Sequence, residues 1–182
     1  RSEADLVAAI RWYREAVDSF PDAPEAAESR FLLAELLFEN QRWAEAAAEY
    51  EQVAYGTTET PRRAEAGYAV LLAHAKQEPA ADPKTAWREQ GVVRALRFVD
   101  RFPADARAGA VLTDATDKRF ALGDNAGAVA LAQRVIALQP PAAPEQRRVA
   151  WTVVAHAAFD AKQYAEAEAA YREVQAVAPG NV

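Results

Sequence analysis

The stretch WTVVAHAAFDAKQYAEAEAAYREVQAVAP, residues 151–179, decides the fold. It opens on an apolar run holding Trp151, Val154, Ala155 and Ala158. A second run follows, with Tyr164, Ala167, Tyr171 and Val174, and closes on Pro179. Ala167, Tyr171 and Val174 have the i, i+4, i+7 spacing that puts three side chains on one face of a helix. Proline fits just past a helix end, where no further backbone donor is needed. The stretch reads as two helices joined by a short turn. The small Ala167 stands where a neighbouring helix approaches closely.

The second half of this pattern recurs along the chain: a small residue, three others, a core residue, two others, a second core residue, four others, then proline. It reads Ala9, Tyr13, Ala16, Pro21; Ala46, Tyr50, Val53, with Thr58 at the proline place; Gly91, Ala95, Phe98, Pro103; Ala128, Ala132, Val135, Pro140; and Ala167, Tyr171, Val174, Pro179. The closing positions are 37, 45, 37 and 39 residues apart. Another helical segment precedes four of the five copies. The spacing predicts helices over 2–20, 24–40, 43–55, 61–77, 83–102, 105–122, 125–138, 144–161 and 164–177. Thr60-Pro61 and Asp82-Pro83 read as an N-cap followed by proline at the first helical position. Gly56 and Gly123 suit the left-handed residue that follows a helix.

Trp151, Val154, Ala155, Tyr164, Ala167, Tyr171 and Pro179 resemble the signature of the tetratricopeptide (TPR) repeat, with Ala155 in place of its glycine and Ala158 in place of its first-helix tyrosine. The pair over 24–55 is similar, with Leu33, Ala34 and Leu37 in its first helix and Trp43 at the turn; Arg30 stands where the signature has tryptophan. The resemblance covers nearly the whole chain and implies an all-α, right-handed superhelical solenoid of TPR-type hairpins, about nine helices in all. The implied organisation is one array. Residues 1–22 are the second helix of a truncated repeat, and repeats follow over 23–60, 61–103 (with an insertion at 78–85), 104–140 and 141–182.

Composition agrees. Hydrophobic residues make up 51% of the chain, with alanine dominant and only 7 glycines and 10 prolines, a balance that favours helices. No run of period two argues for a strand. The net charge of −6 repels phosphate, so nucleic acid is not an expected partner. No window approaches the ~18 apolar residues of a membrane helix, so direct membrane insertion is not expected. Cysteine is absent, which removes disulfides, thiolate metal sites and thiol nucleophiles. Methionine is also absent, and Arg1 already sits in a helical pattern. The chain therefore reads as a piece of a longer protein, with any signal peptide or lipid anchor outside it.

Chemical sites are scarce. His74 and His156 lie 82 residues apart with no carboxylate at metal-ligand spacing, and both read as histidines on helix walls. The Gly123–Gly127 segment lacks the strand and the Lys-Ser/Thr of a phosphate loop and reads as a helix–helix turn. Ser2, Ser19 and Ser29 sit in no nucleophile elbow. Trp12, Trp43, Trp87 and Trp151 read as packing between hairpins. No catalytic residue, cofactor or metal is expected.

What remains is a binding surface. In TPR proteins the first helix of each hairpin lines the concave face. The resemblance assigns to that face Phe31, Glu35, Phe38 and Glu39; then Tyr68, Leu72 and Lys76; then Thr113, Asp117 and Phe120; then Thr152, His156, Phe159 and Asp160. Phe31, Phe38 and Tyr68 are the expected apolar anchors, with Glu35 and Glu39 selecting basic or amide-rich partners. Phe31 and Phe38 also fit a second reading, as rings touching neighbouring helices inside the stack. The Lys, Arg and Asn group with which chaperone-clamp TPR domains hold a C-terminal carboxylate is missing.

The expected function is a protein–protein interaction scaffold that binds a peptide or partner domain. Residues 20–28 are similar to the junctions of bacterial envelope TPR proteins, including BamD-like and Tol–Pal-associated ones, which favours a periplasmic or outer-membrane-associated place. The alternative is a substrate-recruiting or regulatory arm of an enzyme whose catalytic domain lies elsewhere. Self-association through open repeat ends is a third expectation.

Overall fold

The computed structural model describes residues 3–21, 23, 25–80 and 83–177. It is all-α: α1 (Glu3–Ser19), α2 (Ala26–Glu39), α3 (Trp43–Tyr55), α4 (Arg63–Gln77), a 3-10 turn (Glu78–Ala80), α5 (Lys84–Arg101), α6 (Ala108–Ala121), α7 (Asn125–Ala137), α8 (Pro144–Asp160) and α9 (Tyr164–Val177). Each predicted helix is present, with bounds shifted by at most three residues. No strand forms among the described residues. None of the described helices is long and apolar enough to cross a membrane.

The chain forms two compact units, Arg1–Lys84 and Thr85–Val182. In the first, α1 packs on α2, α2 on α3 and α3 on α4. The recurring small residue of α3, Ala46, is fully buried in the core that α3 shares with α2 and α4. Tyr50 and Val53, one and two turns on, join Leu33, Ala34, Leu37 and Val70 in the core. In the second unit α6 pairs with α7 and α8 with α9, α7 packs on α8, and α6 also reaches α8. Asp100 and Arg134 tie α5 to α7 through an ion pair. Ala128, Ala132 and Val135 repeat the buried stripe, and Ala167 and Ala170 are the buried residues of α9.

Three hairpins close on the same turn. Gln41, Gly123 and Lys162 have φ of 61°, 78° and 63°. In each, the amide of that residue donates to the carbonyl three residues back: Gln41 to Phe38 at 3.1 Å, Gly123 to Phe120 at 2.9 Å, Lys162 to Phe159 at 2.9 Å. The next amide reaches five residues back: Arg42 to Leu37 at 2.9 Å, Asp124 to Arg119 at 3.0 Å, Gln163 to Ala158 at 2.9 Å. These bonds satisfy helix-end carbonyls as in a Schellman turn. Asp124 then starts α7 by accepting from Gly127 N at 2.8 Å.

Several local expectations change. Gly56 is not left-handed: its backbone is extended (φ −70°, ψ −175°). Here the buried Arg63 closes the end of α3 instead. Its guanidinium donates to the carbonyls of Ala54 (3.3 Å) and Gly56 and pairs with Glu59. Thr60 caps loosely, its hydroxyl accepting from Arg62 N at 3.3 Å, and α4 starts only at Arg63. Trp12 is 62% exposed rather than packed between hairpins, because among the described residues of α1 Ile10 and Val17 alone are buried. Tyr171 is 37% exposed, since no later helix among the described residues covers α9. His74, read as a histidine on a helix wall, lies on α4 and is buried. Asp82 and Pro179, and Asp22 and Pro24 of the 20–28 junction, lie outside the described residues.

Candidate protein-binding surface

The expected anchors of the first unit divide. Phe31 is only 3% exposed. Its ring meets Tyr50 edge-on at 5.7 Å, and the Arg62 guanidinium lies over its face at 4.4 Å. Glu28 and Glu65 hold Arg62 there, each at 3.0 Å. Phe31 is therefore a core ring under a cation lid, not a ligand anchor: α3 and the start of α4 cover the side of α2 that carries it. Phe38 is half-buried against Trp43 (4.8 Å) and Tyr50 (6.4 Å). Tyr68 is half-buried too, whereas Leu72, one turn along α4, is exposed.

Glu35 and Glu39 are exposed on α2 and line a cleft of ≈ 540 Å³ between α1 and α2. From α2 the cleft also takes Leu32 and Leu36; from α1 it takes Asp5, Leu6, Ala9 and Tyr13. The Tyr50 hydroxyl donates to Glu35 Oε1 from below. Burial, then this bond, pushes the Tyr50 phenol well above its ordinary range, so it stays a donor. Buried Tyr50 thus holds an exposed carboxylate at the cleft wall. The cleft is an apolar floor with carboxylates beside it, and cations are absent from its described lining.

The second unit exposes different side chains. Phe120 on α6 is 63% exposed and Phe159 on α8 56%. Both precede the left-handed turn by three residues, as Phe38 does. Phe38 leans on Trp43 and Phe159 on Tyr164 (5.7 Å), the first residues of the following helices. At the matching place after Phe120 the chain has Asn125, which offers no ring. His156 is exposed with the Tyr171 ring at 5.8 Å. Asp117 is exposed as well, and partial burial, then the neighbouring Asp114 charge, raises its carboxyl above the usual range. Thr113 and Thr152 donate their hydroxyls to Gly109 O and Arg148 O, each at 2.9 Å, so both bond within their own helices. Among the described residues no group of three or more His, Asp or Glu is placed to hold a metal ion.

The structure therefore brings Glu35 and Glu39 together on one cleft and removes Phe31 from it. The sequence reading missed Leu32, Leu36, Leu6 and Asp5. A signal was present: Leu32, Glu35, Leu36 and Glu39 share one face at i, i+3, i+4 and i+7. Ala9 stands at the small position of the repeat and Tyr13 at its first core position, and both are only half-buried.

No family model matches the chain. No curated protein matches it. Among solved structures it is similar to a thermophilic TPR protein of Thermus thermophilus, at 18% identity and a TM-score of 0.46, covering 97% of this chain and 84% of that one. In this chain itself, three hairpins share the left-handed turn and the recurring small residues Ala46, Ala128 and Ala167 are buried, which fits an all-α helical repeat.

Proposed function

We propose that this chain is a protein–protein interaction scaffold that holds a peptide or a partner domain on the exposed faces of its helices. The observation that carries this reading is the cleft between α1 and α2, where apolar side chains lie next to Glu35 and Glu39. Stacked repeats contact only their neighbours and leave long faces open to partners. Large apolar side chains supply most of the affinity at such surfaces, and flanking charges supply encounter rate and rejection of wrong partners. Leu72, Phe120 and Phe159 offer further apolar contacts on the same kind of helix face. We place the activity in assembly at a bacterial cell envelope, in the periplasm or at the outer membrane. The similarity of residues 20–28 to envelope TPR junctions supports that place.

The test is affinity capture from source cells with wild type and with Glu35→Lys/Glu39→Lys. The reading expects a defined partner whose yield falls at least about tenfold in the double variant, at unchanged helicity by circular dichroism. Undiminished capture would put the binding surface elsewhere. Fractionation of the same cells checks the place, and a partner confined to the cytoplasm would contradict it.

A further inference from the structure

We infer that Asp117 and Phe120 on α6 form a seat for an arginine side chain of a partner protein. The inference rests on the scaffold reading and specifies what one of its exposed faces takes. Three observations point to it.

The first is that the chain holds an occupied example of the seat. Glu28 stands three residues before Phe31 on α2, a spacing that puts both on one helix face. The Arg62 guanidinium lies over the Phe31 ring at 4.4 Å, and Glu28 holds it there at 3.0 Å. Asp117 stands three residues before Phe120 on α6 in the same way. Among the described residues no cation lies over the Phe120 ring and none pairs with Asp117.

The second is that the place is open for a local reason. Helix α6 lies well inside the sequence, with α7 and α8 packed against it, yet Phe120 is largely exposed. A following hairpin therefore leaves this position uncovered. Phe159 holds the same position on α8, has α6 packed on its helix, and is largely exposed too, so a preceding helix also leaves it uncovered. What covers the position is the first residue of the next helix: Trp43 leans on Phe38 and Tyr164 on Phe159, whereas Asn125 follows Phe120. The residue three places before each ring differs as well. Before Phe38 it is Glu35, which already accepts from the Tyr50 hydroxyl, and before Phe159 it is His156. Of these three phenylalanines, Phe120 alone combines an open ring with an uncommitted carboxylate.

The third is charge. Lys118 pairs with Asp114 at 2.7 Å and Arg119 with Asp124 at 3.3 Å, so the cations of this turn are engaged. Asp117 is left with partial burial and the Asp114 charge beside it, both of which an incoming cation offsets. Helix α6 ends at Ala121, so the negative end of its dipole also favours a cation beside Phe120. A guanidinium suits the seat better than an ammonium. It is planar, stacks on a ring, and still presents N–H groups to a carboxylate.

The experiment titrates the isotope-labelled chain with an acetylated and amidated Ala-Arg-Ala peptide and follows amide shifts by NMR. One twin carries citrulline, which keeps the shape and loses the charge; another carries lysine. Asp117→Asn removes the carboxylate charge and Phe120→Leu the ring, both at exposed sites that the fold tolerates. Glu173→Gln on α9 makes the same change in net charge far along the sequence. The inference expects shifts centred on residues 114–125 with the arginine peptide. It expects binding about tenfold weaker for the citrulline twin and about threefold weaker for each seat variant. The lysine twin should bind more weakly than arginine, and the α9 control as the parent does. The citrulline comparison needs no variant, so it stands however the variants fold. Equal binding of arginine and citrulline, shifts centred on other helices, or an α9 control that weakens binding as much as Asp117→Asn each overturns the inference. A lysine twin that binds as well overturns the choice of arginine. Sedimentation adds a separate check: self-association abolished by Phe120→Leu would mean that a second copy of this chain supplies the cation, which also overturns it. If the arginine peptide fails while partner capture remains sensitive to Glu35→Lys/Glu39→Lys, this inference falls and the scaffold reading stands.

Discussion

Gly123→Ala isolates the turn that closes three of the hairpins. Gly123 has φ of 78°, and no heavy atom lies within 4 Å of the place a Cβ would take, so alanine adds no clash there. The cost is conformational. Holding an L residue left-handed costs about 1–2 kcal/mol. Restricting the unfolded chain by exchanging glycine for alanine returns about 0.4–1 kcal/mol. The net loss is about 1 kcal/mol, or about 2–4 °C in Tm for a chain of this size. The reverse exchange at the equivalent positions has the opposite sign. Gln41 (φ 61°) and Lys162 (φ 63°) already bear the strain. Gln41→Gly and Lys162→Gly are therefore each expected to be neutral to about 1 kcal/mol stabilising. Urea and thermal unfolding followed by circular dichroism reads all three variants. A Gly123→Ala protein as stable as the parent, together with a destabilised Gln41→Gly, would refute the shared turn and with it the equivalence of the hairpins.

Ala46→Leu and Ala167→Leu should each cost about 1–3 kcal/mol through overpacking at buried crossings, and urea midpoints within error of the parent would contradict this. Tyr50→Ala should cost about 3–5 kcal/mol. Tyr171→Ala should cost clearly less, about 1–2 kcal/mol, because its ring is already 37% exposed; equal costs would show that the two repeats pack alike. Asp105 accepts from Arg107 Nη2 (2.7 Å), Nε (2.8 Å) and N (2.9 Å), and the Arg107 side-chain bonds lower its carboxyl below the ordinary range. A lowered folded value means stability present above the unfolded pKa of about 3.9 and lost as pH falls through the folded value. Asp105→Asn should thus cost about 1 kcal/mol at neutral pH and nothing at the acid end. Urea unfolding at two pH values reads the difference, and an equal cost at both would remove the charged pairing as its cause.

Helix positions were legible because they depend on local signals. The spacing of Ala46, Tyr50 and Val53, and the turn residues around Gly123, lie within a few residues of the structure they specify. The surface was less legible, since exposure depends on which helix covers a face. Phe31 and Glu35 are one turn apart on α2, yet Tyr50 and Arg62 enclose the first and leave the second at the cleft. Tyr171 and Tyr50 occupy the same repeat position and differ in burial because only Tyr50 is enclosed by helices on both sides. Arg63 gave no sequence signal at all. Its three partners, Ala54, Gly56 and Glu59, meet it only once the loop from α3 to α4 has folded back.

The most direct test of the account is site-specific photocrosslinking in source cells, with benzoylphenylalanine at position 32 beside the cleft and, as a reference, at position 172 on α9. The account predicts a discrete protein adduct from position 32 that Glu35→Gln/Glu39→Gln strongly reduces, and no such adduct from position 172. No adduct from position 32, or one that persists unchanged in the double variant, would contradict the claim that this cleft holds a partner.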